Sequence, residues 1–315
     1  MPKRMSFIHL LLCLAAFGTT QQAHAFGDGA RAYQLLPAET QVLSAYGIFL
    51  DGNSSLDPGT AAKNARLSVD ALALQYTRSI TIAGQMTGLF VVLPVGRVDG
   101  SVTVDRPLRP PTNLAGSSSG LGDAQFGAVF GLVGSPALDL RDYTSFKPGF
   151  AAGLLTRVTT PTGDYSSDRA INLGANRWAF QVGLPMGFTA GASMLDPSLM
   201  TFELTPSVMF FTANNAPYGA NTVTQSPIYR IEAHATRNVS QALWFGVDAL
   251  ASYGGETKTD GVDNNNAKYS LELGATAGLN LSKRFALKAT YGAVVARNDY
   301  GLDGRGFRLV ATFLF

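Results

Sequence analysis

The stretch Arg305-Gly306-Phe307-Arg308-Leu309-Val310-Ala311-Thr312-Phe313-Leu314-Phe315 decides the fold class of this chain. From Phe307 onward every second residue is apolar, and a period of two predicts a β-strand with one apolar face. This strand runs to the last residue, without the polar residues that usually form a frayed terminus in water. In bacterial outer-membrane barrels a terminal aromatic residue marks the strand that closes the cylinder. We therefore predict that Phe313 and Phe315 close a barrel, with a core strand of a soluble sandwich as the alternative.

The first 25 residues have the layout of a secretory signal peptide. Lys3 and Arg4 precede an apolar run over residues 7–17, and Ala23-His24-Ala25 provides a small-residue cleavage site. The run is too short for a membrane anchor helix, which needs roughly 20 apolar residues. We predict that residues 1–25 are removed and that the chain is exported by the Sec route to the outer membrane of a Gram-negative cell.

Composition excludes several classes of function. The only cysteine, Cys13, lies in the predicted signal peptide, so the mature chain has no thiol for disulfides, nucleophilic catalysis or metal binding. The whole chain has 24 Lys and Arg against 22 Asp and Glu, and two of the cations, Lys3 and Arg4, leave with the signal peptide. The remainder is electrically balanced. We predict no cofactor, no metal site and, without a basic patch, no nucleic-acid partner.

Alternation of apolar and polar residues continues through the middle of the chain. It marks twelve segments, near residues 40–50, 67–77, 80–92, 121–133, 148–160, 176–189, 199–212, 227–238, 241–254, 268–282, 284–297 and 305–315. They predict a single all-β domain over residues 40–315, a transmembrane antiparallel up-and-down β-barrel of about 12 strands. Residues 26–39 are expected to form a periplasmic N-terminal segment, from which a plug for the lumen could come.

The distribution of charge favours a membrane barrel over a soluble sandwich. After the first segment, the more apolar register carries no charged residue over its central part. Because a membrane barrel turns its apolar face to lipid and its polar face to the lumen, the opposite register should line the lumen. The segments are also longer than the five or six residues of an average soluble strand. The predicted lumen-lining residues are Arg157, Glu203, Arg230, Glu232, His234, Asp248, Glu272, Lys288 and Arg308.

The connections alternate in length, as they do in barrels whose two termini lie in the periplasm. The long ones are rich in turn-forming residues and cover 51–66, 93–120, 161–175, 213–226, 255–267 and 298–304. Short turns are predicted at Arg78-Ser79, around Ser240 and at Lys283, whereas residues 134–147 and the shorter connection 190–198 are exceptions. Within the long connection 93–120, Gly116-Ser117-Ser118-Ser119-Gly120 has the composition of a flexible linker.

One connection carries a family motif. Thr160-Pro161-Thr162-Gly163-Asp164-Tyr165, followed by Ile171-Asn172-Leu173-Gly174-Ala175-Asn176-Arg177-Trp178, resembles the hallmark loop of the SphA-like "meta-pathway of phenol degradation" transporter family. Gly120-Leu121-Gly122-Asp123 and Gly27-Asp28-Gly29-Ala30-Arg31 are also similar to that family. The resemblance implies an outer-membrane barrel associated with the catabolism of aromatic or other hydrophobic compounds.

The motif residues that we single out are Pro161, Gly163, Asp164, Asn172, Gly174, Asn176, Arg177 and Trp178. Gly163 permits a tight turn after Pro161, and Asp164 can accept backbone hydrogen bonds there. The loop could pack on itself outside the barrel. Alternatively, its polar residues could fold it inward as a constriction that screens a substrate.

These patterns lead to a functional hypothesis with two alternatives. We expect an outer-membrane channel for passive uptake of small, hydrophobic or aromatic compounds, and not an enzyme. Its partners would be outer-membrane lipid, the small hydrophobic solute and the barrel-assembly machinery, which would recognise Phe315. An outer-membrane lipid hydrolase using His234 is one alternative, although alternation places that histidine in the lumen near Arg230 and Glu232. A structural or adhesive barrel without transport is the other.

Overall fold

The structure, a computed structural model, describes residues 27–57, 59, 61–106 and 109–315. The predicted signal peptide, residues 1–25, lies outside this range. In chain order the strands are β1 (Gln41–Gly52), β2 (Ala65–Ile82), β3 (Gln85–Arg106), β4 (Arg109–Leu121), β5 (Gln125–Val133), β6 (Phe150–Thr159), β7 (Ala179–Gly183), β8 (Met186–Ala190), β9 (Met200–Phe211), β10 (Val223–Gln225), β11 (Ile228–Asn238), β12 (Leu243–Gly254), β13 (Thr257–Thr259), β14 (Val262–Asp263), β15 (Lys268–Asn280), β16 (Phe285–Arg297) and β17 (Gly304–Leu314). One short helix, α1, covers Leu140–Ser145.

The main sheet closes into an antiparallel barrel of twelve staves. Neighbouring staves follow the order β1, β2, β3, β5, β6, β7 with β8, β9, β11, β12, β15, β16 and β17. The ring closes because β17 pairs with β1, from Val42 opposite Leu314 to Gly52 opposite Gly304. β7 and β8 form a single stave that is interrupted at Leu184 and Pro185, since proline has no N–H for the ladder. The predicted all-β barrel of about twelve strands is confirmed.

The C-terminal strand occupies the position that the sequence predicts. The backbone N–H of Phe315 donates to the carbonyl oxygen of Gln41 at 3.0 Å, and the N–H of Gln41 donates to the Phe315 carbonyl at 3.1 Å. The rings of Phe313 and Phe315 stack on the outside of the barrel with centroids 5.9 Å apart. Phe313, opposite Leu43, and Phe315, opposite Gln41, therefore lie at the seam between the first and last strands.

The barrel is inverted relative to a soluble protein. On β11 the outward Tyr229 and Ile231 are exposed, while Arg230, Glu232 and His234 between them are buried. Apolar side chains cover the outer wall on the other staves in the same way. An apolar exterior with a polar interior is the arrangement that a bilayer requires. Among the described residues, no helix is long and apolar enough to cross a bilayer.

The two ends of the barrel differ. We call the end with the chain termini of the sheet, α1 and the short connections the turn end, and the opposite end the loop end. The predicted turn at Arg78-Ser79 is wrong, because β2 and β3 run on to a turn at Ala83-Gly84. Both residues have positive φ, 49° and 77°, and glycine supplies one of them without strain. Ser79 is instead buried and its hydroxyl donates to the carbonyl of Pro37 at 2.7 Å.

The long connection 93–120 is not an irregular loop. β3 extends beyond the barrel wall to Arg106 and returns as β4, which pairs with β3 alone. The linker-like run 116–120 is thus part of a strand, and the expectation of a flexible segment there is wrong. Gly100 and Gly120 have φ values of 154° and 148° in this hairpin. At the same loop end, β10, β13 and β14 form a separate three-stranded sheet.

The N-terminal segment differs from the expectation that residues 26–39 lie in the periplasm. The structure places its first described part inside the barrel, with Asp28 and Gly29 hydrogen-bonded to Glu232 in the middle of β11. Residues 35–39 remain at the turn end, where the hydroxyl of Tyr143 on α1 donates to the carbonyl of Leu35 at 3.1 Å. We call residues 27–34 the plug.

Candidate functional site

The plug is anchored by carboxylates that project from the barrel wall. Glu232 accepts hydrogen bonds from the backbone N–H groups of Asp28 at 3.0 Å and Gly29 at 2.7 Å. Glu203 on β9 accepts from the N–H of Arg31 at 2.8 Å. The Arg31 guanidinium lies over the ring of Trp244, 4.2 Å from its centroid. Three backbone N–H groups of the plug are thereby satisfied inside the barrel by side chains of the strands.

Cations of the wall bind the other side of the plug. Arg157 forms an ion pair with Asp28 at 2.5 Å, and the same carboxylate accepts a short hydrogen bond from Tyr33. Arg308 donates to the Gly27 carbonyl at 2.9 Å, and Lys288 donates to the Ala30 carbonyl, also at 2.9 Å. The plug is therefore fixed by charged groups of both signs rather than by apolar packing.

His234 lies between two carboxylates. Its Nδ1 is 2.6 Å from Asp248 and its Nε2 is 2.8 Å from Glu232. The second oxygen of Asp248 accepts from the hydroxyl of Thr276 at 2.6 Å. Both ring nitrogens are occupied, and the side chain faces the lumen, so neither nitrogen is available to activate a serine at a lipid-facing site. The arrangement instead steadies Glu232, which anchors the plug.

The family motif forms a loop at the loop end of the barrel. The carboxylate of Asp123 joins the two halves of this loop. Asp123, between β4 and β5, accepts from the N–H of Gly163 at 2.7 Å and of Ala175 at 2.8 Å. Partial burial raises the pKa of Asp123, and these backbone hydrogen bonds oppose that effect. A Cβ atom on Gly174 would lie 2.8 Å from the carbonyl carbon of Gly163, so the close backbone contact requires glycine.

A second carboxylate of the motif binds the β3–β4 hairpin. Asp164 accepts from the hydroxyl of Ser118 at 2.6 Å and from the Arg169 guanidinium at 2.8 Å. The hydrogen bond from Ser118 lowers the pKa of Asp164 below its usual value. Asn172 closes the turn within the loop, since it accepts from the N–H of Ser166 at 2.9 Å and donates to the Arg169 carbonyl at 2.9 Å.

The last motif residues join the loop to its neighbours. Asn176 has a φ of 52° and donates to the side-chain oxygen of Asn214 at 2.9 Å. The buried guanidinium of Arg177 pairs with Asp57 at 3.0 Å and lies 4.3 Å from the centroid of the Phe211 ring. Trp178 is exposed on the outer wall and stacks on Phe180, while Pro161 is exposed at the start of the loop.

The motif loop also enters the barrel mouth. Ile171 and Leu173 are buried against Val69 and Val98 on the inner faces of β2 and β3. Hydrophobic side chains of an outer loop are thereby removed from water inside the barrel. Of the two arrangements open from the sequence, the loop adopts the inward one, and its internal hydrogen bonds also make it self-packed.

A cavity of about 370 Å³ lies between the motif loop and the plug. Much of its wall is apolar, including Phe90, Leu173, Met209 and Leu250. A smaller cavity of about 90 Å³ lies nearer the turn end. Tyr33 and Gln34 of the plug border both cavities. The interior of the barrel is thus divided by the plug into an upper, larger chamber and a lower, smaller one.

All nine residues that the sequence places in the lumen have inward side chains, but they fall into different groups. Glu203 and Glu232 contact the plug, and His234 with Asp248 supports Glu232. Arg157, Lys288 and Arg308 contact the plug and also border the larger cavity, which Arg230 and Glu272 border as well. Sequence reasoning did not assign roles to Asp28, Ser118 or Asp123. The only signal for them was their position beside glycines or serines in segments that resemble the family.

The chain matches a known protein family over most of its length. The profile of a family described as "Putative MetA-pathway of phenol degradation" matches residues 51–309. The chain belongs to this family. The resemblance noted from the motif loop is therefore confirmed. No curated protein matches the sequence.

Among solved structures, this family member is similar to one described as "the COG4313 outer membrane channel from Pseudomonas putida F1". The two share 19% sequence identity and a TM-score of 0.70, over 92% of this chain and 100% of the other. The β domain of the Bordetella autotransporter BrkA is more distant, with 12% identity and a TM-score of 0.45 over 88% of this chain and 100% of the other. At such identities the similarity concerns the fold of an outer-membrane barrel.

Proposed function

We propose that this protein is an outer-membrane channel for the passive uptake of small hydrophobic or aromatic compounds. The observation that carries the proposal is the largely apolar cavity between the motif loop and the plug. Charged side chains such as Arg157 and Lys288 also border this chamber, but its phenylalanine, leucine and methionine side chains offer an organic solute an apolar surface that water and salts do not need. The family and the name of the Pseudomonas putida channel are consistent with this role.

The proposed path runs from the loop end to the turn end. A solute passes the motif loop, rests in the larger cavity and leaves after the plug moves away from Glu232 and Glu203. Movement down a concentration gradient supplies the driving force, so neither a nucleotide nor a cofactor is required. The plug is held by hydrogen bonds and ion pairs and by no covalent bond, so its release and its return would involve the same contacts.

The location and assembly of the protein belong to the same proposal. The chain would be exported after cleavage of residues 1–25, and its exposed C-terminal Phe315 would be the residue that the assembly machinery recognises. The loop end would face outward and the turn end inward. The apolar outer wall would contact membrane lipid.

Conductance of the mature protein in a planar bilayer tests the proposal, with and without residues 27–34. The variant without the plug should show steady openings that added toluene blocks, and the complete protein should open rarely. Arg237→Gln, on the outer side of β11, serves as the matched control because its side chain contacts neither the plug nor the cavity. Heat-modifiable migration on a gel verifies that each variant is folded.

Two outcomes would contradict the proposal. A folded barrel that stays silent without its plug would favour the structural or adhesive alternative. Openings that toluene leaves unaffected would show a pore for polar solutes, and would remove the hydrophobic cargo from the proposal.

A further inference from the structure

Two neutral polar side chains of the barrel wall face the larger cavity with their hydrogen-bonding groups unused. Gln125 on β5 and Thr159 on β6 both border the cavity, and they lie directly opposite each other in the ladder between these strands. Neither side chain hydrogen-bonds to any residue in the described part of the chain. We call these two residues the polar pair. Its amide and hydroxyl groups are open to a molecule in the cavity.

Two other glutamines of the barrel wall border the same cavity, and both are occupied. The side-chain oxygen of Gln75 accepts from the hydroxyl of Tyr46 at 3.1 Å, and its nitrogen donates to the hydroxyl of Thr77 at 2.9 Å. Both ends of the Gln181 amide are occupied in the same way. These glutamines stabilise the wall, whereas the amide of Gln125 makes no such contribution.

Apolar side chains flank the polar pair along the wall. Val92 on β3 lies opposite Gln125, and Ala179 on β7 lies opposite Thr159. Both apolar residues border the cavity. A group bound by the polar pair would therefore have hydrocarbon on both sides, where a hydrogen bond is electrostatically stronger than in water.

An aromatic ring lies directly below the polar pair. Phe90 and Gly127 occupy the next inward positions towards the turn end, opposite each other on β3 and β5. A Cβ atom on Gly127 would lie 2.6 Å from Cζ of Phe90, so the ring covers this glycine. Two residues along a strand span about 7 Å, so a ligand could contact the ring and the polar pair through one short chain.

The nearest charge on the same strand connection is negative. Asp123 lies two residues before Gln125 and borders the cavity. It accepts from backbone N–H groups of the motif loop and forms no ion pair among the described residues. A neutral ligand group at the polar pair needs no counter-ion, whereas an anionic group would lose its hydration beside a like charge.

We propose that Gln125 and Thr159 form a hydroxyl-binding subsite, and that the cavity selects neutral compounds with a hydroxyl group on an apolar body. A hydroxyl group both donates and accepts hydrogen bonds, and so do the glutamine amide and the threonine hydroxyl. The apolar body would lie against Phe90. The inference rests on the proposed function and names the class of its cargo.

Calorimetric titration of the mature, detergent-solubilised protein tests this inference with 3-phenylpropan-1-ol, propylbenzene and 3-phenylpropionate. The three probes share an apolar body and differ in the polar group at its end. Each probe partitions into micelles to the same extent with every variant, so the readout is the change in affinity relative to the wild-type protein. Gln125→Leu and Thr159→Val should each weaken the alcohol about three- to tenfold, the loss expected for one neutral hydrogen bond. Neither variant should weaken propylbenzene, and the wild-type protein should bind the carboxylate more weakly than the alcohol.

Two further variants separate a ligand contact from a structural role. Thr159→Ser keeps the hydroxyl group and should retain most of the alcohol affinity. Thr156→Val makes the same change as Thr159→Val on the outer side of the same strand, away from both cavities, and should change no affinity. Heat-modifiable migration on a gel verifies that each variant is folded.

Three results would overturn the inference: an unchanged alcohol affinity in both Gln125→Leu and Thr159→Val, an equal loss for the alcohol and propylbenzene, or a carboxylate that binds the wild-type protein more tightly than the alcohol. In each of these cases the cavity still binds an apolar compound, and the proposed channel function is retained. Binding of none of the three probes would contradict the proposed function itself.

Discussion

The substitution Glu232→Gln tests whether the plug is held by the contacts that the structure shows. The carboxylate accepts the N–H groups of Asp28 at 3.0 Å and Gly29 at 2.7 Å. A hydrogen bond to a charged group contributes about 1.5 kcal/mol or more, so the two together contribute about 3 kcal/mol. The glutamine oxygen can retain one neutral hydrogen bond of about 1 kcal/mol, which leaves a loss of about 2 kcal/mol. Release of the plug should therefore become about thirtyfold more frequent.

Two assays measure this change. Single-channel recording gives the fraction of time that the barrel is open, which should rise about thirtyfold from a low starting value. Hydrogen exchange at the amides of Asp28 and Gly29 should accelerate by the same factor, because exchange requires the same release. Glu39→Gln is the matched control, since that carboxylate is exposed at the turn end and pairs only with Arg78 among the described residues.

The reasoning would be refuted by a folded Glu232→Gln barrel with unchanged openings and unchanged exchange in the plug. His234 loses one of its two carboxylates in this variant, so the thermal stability of the barrel is measured alongside. A drop in thermal stability without faster exchange at Asp28 and Gly29 would show that Glu232 stabilises the barrel wall rather than anchoring the plug.

Further predictions concern the motif loop and the histidine. Asp123→Asn removes a charged acceptor from two backbone amides, and limited proteolysis of residues 163–175 should become several-fold faster while the barrel stays folded; an unchanged rate would contradict the bridging role. Asp164 has a lowered pKa in the folded loop, so its stabilising contribution is complete above its unfolded pKa near 4 and is lost as the pH falls through the lower folded pKa. The backbone N–H of Leu173 donates to the Ser118 hydroxyl, which in turn donates to Asp164, so hydrogen exchange at Leu173 reports on this contact. After correction for intrinsic rates, that exchange should be constant from pH 7 to 5 and should accelerate below about pH 4. Leu173→Ala should weaken packing of the loop on the barrel mouth by about 2–4 kcal/mol and increase the conductance of the protein without its plug, with equal conductance as the contrary result. His234→Gln should leave liposome phospholipids as intact as the wild-type protein does, and a difference in lipid hydrolysis would revive the enzymatic alternative.

The strands were predictable because their signal is local. Alternation with a period of two is visible within any ten residues, and it located each of the twelve staves, including the stave that Pro185 interrupts. The signal fails where a strand leaves the bilayer, because apolar residues are no longer required there. β2 therefore continues past Arg78, and the serine-rich run 116–120 forms a strand although its composition is typical of a linker.

The inward charges were also predictable, but their partners were not. Alternation places Arg157 and Glu232 on the lumen side without stating what they contact. Their partner, Asp28, is 129 and 204 residues away in sequence from these two residues. Contacts of such separation depend on the closed barrel, and no local pattern encodes them. The same holds for Asp123, which joins two loop amides that are 40 and 52 residues distant.

The connection between the plug and β1 has a consequence for how the barrel can open. The Leu35 carbonyl binds Tyr143, and the N–H of Ala38 donates to the Leu138 carbonyl at 2.7 Å, so the chain is pinned just below the plug. A displaced plug stays within a few residues' reach of its site, at an effective local concentration on the order of millimolar. Rebinding is intramolecular and does not depend on how many barrels the membrane contains. In the proposed channel, the segment that closes the lumen would therefore always be present at its site, and the closing of one barrel would not depend on any other copy of the protein.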